Sequence, residues 1–343
     1  VIQIDTVKVT MPLRRKFSVS KGAAEAKTNI LTILNNRYNG EASGSVHAGP
    51  PVDVIENDIR KGIERLANRR EIDIETLKAI NGFDIHPVAR SALTGMILNF
   101  ISGETDRYPW EILKLSSPVG IKSSMTISLD DPDEMVRVIR ETPHPILKIK
   151  LGGENDREIV EKLKEIQDKT IRVDANGGWS LAQAEEMIFY LARLGVTLIE
   201  QPTDLDKISE WPNLKGKHEN VQLFADEGLD TLKDYRKIAK FVDGINIKME
   251  KSGGILEAIK IARAAHKDKK KVMLGCMVES SVGIAQSVYM SSLADYYDLD
   301  APQLLEDDIA QGIKYNLETI EVDREIIGGP KLRRDVVERY SKG

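Results

Sequence analysis

The chain has 343 residues, 41% of them hydrophobic, with a formal net charge of −5. That length accommodates a barrel plus a smaller second domain, and the apolar fraction excludes global disorder. Dispersed basic residues and an acidic balance argue against nucleic acid as a partner, no apolar stretch reaches bilayer length, and the single Cys276 excludes an internal disulfide or a cysteine metal site.

The N-terminus, VIQIDTVKVTMPL, alternates like a strand and lacks the long apolar run of a signal peptide, so a cytoplasmic protein is expected. The Asn39-Gly40 pair predicts a tight turn, and the Gly/Pro-rich GEASGSVHAGPPVD predicts a long loop. Three helical patterns follow, VIENDIRKGIERLANR, DIETLKAING and VARSALTGMILNFISG. Residues 1–115 therefore read as an N-terminal α+β domain. From about Ile121 the rhythm becomes strand then helix. SSMTISL precedes DPDEMVRVIRE, capped by Asp130 or Asp131, and IRVDANG precedes SLAQAEEMIFYLARLG, with Ser180 as cap and Gly195 as stop. About eight strands and seven crossover helices predict a parallel sheet closed into a (β/α)7β TIM-like barrel over residues 116–313. No GxGxxG follows the first strand, which counts against a dinucleotide fold. Residues 314–343, with IEVDREIIGGP, are expected to return to the N-terminal domain.

The strand ends carry the chemistry. ILKIKLGG ends in Lys148 and Lys150, IRVDANG in Asp174, TLIEQP in Glu200, VQLFADEG in Asp226 and GINIKMEKSGG in Lys248, about 22 to 26 residues apart. In a parallel barrel all of them emerge on the face where such folds keep their active sites. Three carboxylates without a neighbouring His or Cys suit Mg²⁺ rather than zinc. A lone acid at such a position more often caps the next helix; three at one strand phase reverse that preference. Lys148 and Lys150 share one strand face, and their mutual repulsion is expected to lower a lysine pKa toward that of a working base. Lys248 lies across the barrel, so two bases could flank one carbon. Lys251, in the following turn, is its competitor.

Taken in order, KIK, DAN, EQP, ADE and NIKMEKSGG resemble the enolase superfamily, in its muconate-lactonising-enzyme-like subgroup, over essentially the whole chain. The resemblance implies Mg²⁺ on Asp174, Glu200 and Asp226, Lys150 and Lys248 as acid/base catalysts, and Lys148 assisting. It implies abstraction of a proton α to a carboxylate, giving an enediolate stabilised by the metal. Relatives of mandelate racemase carry a His after the seventh strand; KVMLGCMVESS has none here, and the five histidines are expected in surface loops or helices. Glu279 in MVESS is expected to be a structural carboxylate, with Met277 beside the substrate.

The eighth strand reads YYDLDAP, and its Asp298 and Asp300 resemble the paired aspartates of dipeptide epimerases close to L-Ala-D/L-Glu epimerase. With no lysine or arginine nearby in sequence, the pair is expected to bind the free ammonium of a dipeptide. The reading is thus a Mg²⁺-dependent epimerase of L,L-dipeptides, a homo-oligomer acting on a small molecule. N-succinylamino acid racemase or o-succinylbenzoate synthase activity is the alternative, and a non-catalytic binding relative is a third. Ala-Glu epimerases place an arginine in a cap loop; this chain has Gly22 near that position, with Lys21 adjacent, leaving the side-chain preference open. The loops around Phe17 to Lys21 and Ser43 to Pro51, including His47, are the expected specificity elements.

Overall fold

The chain begins as an antiparallel sheet of β1 (Ile4–Val19), β2 (Gly22–Leu34) and β3 (Tyr38–Ala42). The computed structural model describes residues 3–19, 22–44, 49–67, 69, 71–166, 168–216 and 218–341, so Lys21 and His47 lie outside the described residues. The tight turn is not at Asn39-Gly40. It lies between β2 and β3, where Asn35 and Asn36 take φ of 52° and 55°, a left-handed conformation that asparagine tolerates. Gly40 instead pairs with Thr32 inside β3, and a Cβ there would stand 2.0 Å from the Ala92 carbonyl oxygen. Glycine is required by the close approach of a helix.

That helix is α3 (Pro87–Thr105), which follows α1 (Val52–Ala67) and α2 (Ile74–Ile80). Its apolar residues run all round it, as expected of a helix with neighbours on every side, and it joins the sheet to the rest of the molecule. Ser91 accepts from Gln286 Nε2 at 3.1 Å, and Asn99 Oδ1 accepts from the Tyr289 hydroxyl at 3.0 Å. The short α4 (Pro109–Ile112) and β4 (Ile121–Lys122) lead into the second unit.

Eight parallel strands follow, each hydrogen-bonded to the next: β5 (Met125–Ile127), β6 (Ile146–Lys150), β7 (Thr170–Asp174), β8 (Leu198–Glu200), β9 (Gln222–Ala225), β10 (Gly244–Ile247), β11 (Lys271–Gly275) and β12 (Tyr296–Asp298). Closure comes just before β5, where Ser123 bridges to Tyr297 and the Ser124 amide donates to the Tyr297 carbonyl at 3.1 Å. The crossovers are α5 (Pro132–Glu141), α6 (Asp156–Lys162), α7 (Leu181–Arg193), α8 (Trp211–Leu214), α9 (Leu232–Ile238), α10 (Met249–Ser252) with α11 (Ile255–Lys267), and α12 (Ser281–Tyr289). Asp131 caps α5, and Ser180 caps α7 in a reciprocal box with Gln183. The fold is a (β/α)7β barrel with an N-terminal α+β cap.

After α13 (Ala301–Leu304), the tail forms β13 (Ala310–Gln311), β14 (Ile313–Asn316), β15 (Thr319–Val322), β16 (Lys331–Leu332) and α14 (Arg334–Tyr340). Val336 and Tyr340 of α14 share an apolar cluster with Val9, Met11 and Leu31. Among the described residues, no helix is long and apolar enough to cross a membrane.

Candidate active site

Strand alternation explains which side chains enter the barrel. Leu147 and Ile149 face the helices, so Lys148 and Lys150 face inward; by the same phase Arg172 and Asp174 enter from β7, and Leu198 and Glu200 from β8. The lower interior is closed by Leu198, Phe224 and Met273, with Tyr296 packed against them. Above that plug the interior turns ionic. Lys150, Asp174 and Glu200 end their strands, Lys150 in register with Asp174 and Asp174 with Glu200.

The charges interlock. Lys148 Nζ lies 3.1 Å from Asp174 Oδ2, 2.8 Å from Glu200 Oε2 and 2.7 Å from Asp298 Oδ2. Lys150 Nζ lies 2.6 Å from Asp174 Oδ2. Across the barrel, Lys248 Nζ lies 2.9 Å from Asp226 Oδ2 and Lys251 Nζ 3.0 Å from Asp226 Oδ1. Burial alone would lower Lys148, but Asp174, Asp298 and Glu200 outweigh it and hold the ammonium well above the usual lysine range. The expected lowering by a neighbouring lysine is thus reversed, because three carboxylates surround the amine. Lys248 is likewise raised, against burial, chiefly by Asp226. Burial opposes the charge on Asp174, yet Lys148 and Lys150 hold it well below the usual carboxylate range. Glu200 moves the other way. Burial and the charge of Asp174 push it up to about 7.

Asp298 and Asp300 also depart from expectation. Lys148, distant in sequence, neutralises Asp298, and the Ser124 hydroxyl donates to its Oδ1 at 2.8 Å. Asp300 accepts from the Thr126 amide at 2.5 Å, and burial together with Asp298 pushes it up to about 6. Of the pair, Asp300 is the carboxylate without a lysine contact among the described residues.

Several contributors were not singled out from sequence. Asn246, two residues before Lys248, donates to Glu200 Oε1 at 2.9 Å. A Cβ on Gly275 of β11 would stand 2.4 Å from the Asn246 Oδ1 atom, so glycine there leaves Asn246 its place. Arg172, two before Asp174, donates to the Tyr297 carbonyl at 2.8 Å beneath the site. The same period-2 phase that marked the strand ends marks both residues. Gln201 takes φ of 41° and its Oε1 accepts from the Asp226 and Glu227 amides, each at 3.1 Å, which fixes the turn carrying Asp226. His86 caps α3 through Nδ1 and reaches the cavity, with no sequence signal tying it to the barrel. The histidines are not all superficial: His144 is buried, its Nδ1 3.1 Å from the Ile146 carbonyl.

These groups meet at a cavity of about 440 Å³. Lys148, Lys150, Asp226, Lys248, Asp298 and Asp300 line it, as do Met277 and, from the cap, Phe17. Asp174 and Glu200 are fully buried, and Gly22 opens β2. Among the described residues no three acidic, His or Cys side chains surround a common point as a metal would require, since lysines stand between the carboxylates. The donor chemistry nonetheless fits a hard divalent cation: three buried carboxylates on consecutive strand ends and no soft ligand. Glu200 Oε2 faces Lys148 without hydrogen-bonding geometry, which leaves it a coordination valence to offer.

Residues 131–339 match the family described as Enolase C-terminal domain-like. The chain is 31% identical over 321 residues to the L-Ala-D/L-amino acid epimerase of Maribacter sp., spanning 91% of this chain and 94% of that protein. A dipeptide epimerase from Cytophaga hutchinsonii, complexed with Mg and D-Ala-L-Val, superposes with a TM-score of 0.85 at 22% identity, over 99% of this chain and 98% of the other. The N-succinyl Arg/Lys racemase from Bacillus cereus superposes with a TM-score of 0.87 at 23% identity, over 98% and 96%. At such identities the two structures share the fold alone, whereas the family match and the epimerase relative carry further. The chain belongs to the enolase superfamily, in the company of epimerases that act on amino acid derivatives.

Proposed function

We propose that the protein is a divalent-cation-dependent epimerase of dipeptides that inverts Cα of the C-terminal residue. The observation that carries this reading is the placement of Lys150 at the end of β6 and Lys248 just after β10, four strands apart in an eight-stranded barrel, facing one cavity that Asp300 also lines. One lysine takes the Cα proton from one face; the other returns a proton to the opposite face. Asp174, Glu200 and Asp226 would hold Mg²⁺, which supplies positive charge beside the substrate carboxylate as it gains electron density. Carboxylates committed to a cation hold Lys150 and Lys248 less tightly, and this frees one lysine to act as base. Asp300, with Asp298, receives the substrate ammonium. Phe17 and Met277 bound the pocket for the side chains. We assign residues 1–115 to the cap, 116–313 to the catalytic barrel and 314–343 to the returning tail.

A second reading, an N-succinylamino acid racemase or o-succinylbenzoate synthase, draws on the Lys148–Asp298 pair, which leaves one aspartate already neutralised without a substrate ammonium. Incubating the Mg²⁺-supplemented protein in D₂O with an L,L-dipeptide library and with N-succinyl amino acids separates the two. Deuterium at Cα of dipeptides supports the epimerase; exchange confined to N-succinyl substrates replaces it with the second reading.

A further inference from the structure

Glu250 has no part in the chemistry above, although it lies two residues beyond Lys248 on α10 and lines the same cavity. It is 1% exposed, and neither carboxylate oxygen accepts a hydrogen bond from an amide, hydroxyl or cationic group among the described residues. A buried carboxylate in that condition is costly until a donor reaches it. Its neighbours supply only a proton shared with another acid, because Glu250 and Glu279 face each other side chain to side chain and burial raises both. Glu279 is thus a second buried carboxylate beside it, its Oε2 likewise without an amide, hydroxyl or cationic donor among the described residues. Glu41 is a third, already occupied by Asn29 Nδ2 at 2.7 Å and by the amides of Ser280 and Gly283. Lys27 acts on Glu41 and Glu250 through space, and Lys248 acts on Glu250, so among the described residues two cations face three acids.

The rest of the cavity leans the same way. Its four lysines are each within 3.1 Å of a carboxylate oxygen, and no arginine lines it among the described residues. Glu227 and Asp230 add acidic groups on the wall next to Asp226. A substrate side chain bearing a carboxylate meets no uncommitted cation here. A side chain bearing a cation meets Glu250.

We propose that Glu250 is a specificity residue that accepts a cationic side chain, lysine or arginine, from the epimerised residue of the dipeptide. This rests on the dipeptide-epimerase reading. The epimerised residue is the one addressed because Glu250 sits in the first turn of the four-residue helix that Lys248, the group assigned to Cα, immediately precedes, whereas the ammonium end belongs to Asp300 beyond β12.

The test measures Cα deuteration from D₂O by mass spectrometry, with Mg²⁺ present, for L-Ala-L-Lys, L-Ala-L-Met and L-Ala-L-Glu. The wild-type protein is expected to favour Ala-Lys over Ala-Met by about tenfold or more in kcat/KM, expressed in KM, with Ala-Glu slowest. In Glu250→Gln, which keeps the shape and removes the charge, the Lys-to-Met ratio should fall about tenfold or more. Equal use of Ala-Lys and Ala-Met by the wild type, or an unchanged ratio in the variant, overturns the inference while leaving the epimerase reading standing. Exchange of N-succinyl amino acids and of no dipeptide overturns both. The wild-type comparison decides even if the variant folds poorly.

Discussion

Lys148 Nζ stands 2.7 Å from Asp298 Oδ2, a contact that reaches from β6 past β5 to the end of β12. One ammonium thus ties the first half of the barrel to its last strand, and it divides the aspartate pair. Asp298 is held as a charged partner of Lys148, while Asp300 is left with an amide donor and a raised pKa.

The two aspartates should therefore respond unequally to substitution. Asp300→Asn is expected to weaken dipeptide turnover more than N-succinyl amino acid turnover, by the roughly 2 to 5 kcal/mol typical of truncating a buried charge partner. Asp298→Asn should impair both substrate classes, because it also loosens Lys148. Steady-state kinetics on both substrate classes read this out; equal losses in Asp300→Asn would remove the ammonium from its assigned place.

The pH profile carries a related signature. Asp300 lies at about 6, raised above its ordinary value by burial and by Asp298. It is charged above that pH and protonated below it, so kcat/KM for free dipeptides should fall as the pH drops through about 6. Asp300→Asn should lose this limb. Comparing wild type with Asp300→Asn isolates Asp300 from the buried Glu200, which lies at about 7. A limb retained in Asp300→Asn assigns it to another group.

Removal of divalent metal is expected to abolish activity, and Mg²⁺ should restore it better than Zn²⁺. Binding to the folded state alone also stabilises it, by about 2.7 kcal/mol at a hundredfold excess over Kd. Thermal unfolding with and without Mg²⁺ measures that gain directly. Glu200→Gln combined with Asp226→Asn should lose it; a Mg²⁺-induced shift surviving in this double variant places the cation elsewhere.

Lys150→Ala and Lys248→Ala are each expected to stop two-way epimerisation, with losses of about 10² to 10⁴. The remaining lysine can still exchange the Cα proton of one stereoisomer with D₂O, and the two variants should exchange opposite ones. Two-way epimerisation in Lys248→Ala would transfer the role to Lys251, which holds the other oxygen of Asp226.

Gly40→Ala tests the contact between cap sheet and α3. The added Cβ would lie 2.0 Å from a backbone oxygen, so a strand or helix must move. Destabilisation of about 1 to 3 kcal/mol or more is expected, read as a lowered urea midpoint at an unchanged slope. A midpoint equal to wild type would mean that the sheet and helix part at little cost.

Local chemistry determined the barrel and most of its rim. Apolar runs of strand length alternating with capped helices specify a parallel sheet, and period-2 phase sends Lys148, Lys150, Asp174 and Glu200 to one interior. The same phase contained Arg172 and Asn246 as well. What tertiary structure alone decided are the partnerships between residues far apart in the chain. A short turn follows local backbone preference, yet Gly40 was reserved for α3 and not for a hairpin, because the helix that excludes a Cβ comes some fifty residues later. Asp298 has no cation near it in sequence and one at 2.7 Å in space. Lys148 carries a charge its neighbour Lys150 would discourage, because Coulomb interactions depend on distance through the folded interior and three carboxylates converge there from β7, β8 and β12. Glu250 meets no amide, hydroxyl or cationic donor among the described residues for the same reason: only the packing of cap on barrel decides which donors reach a buried acid.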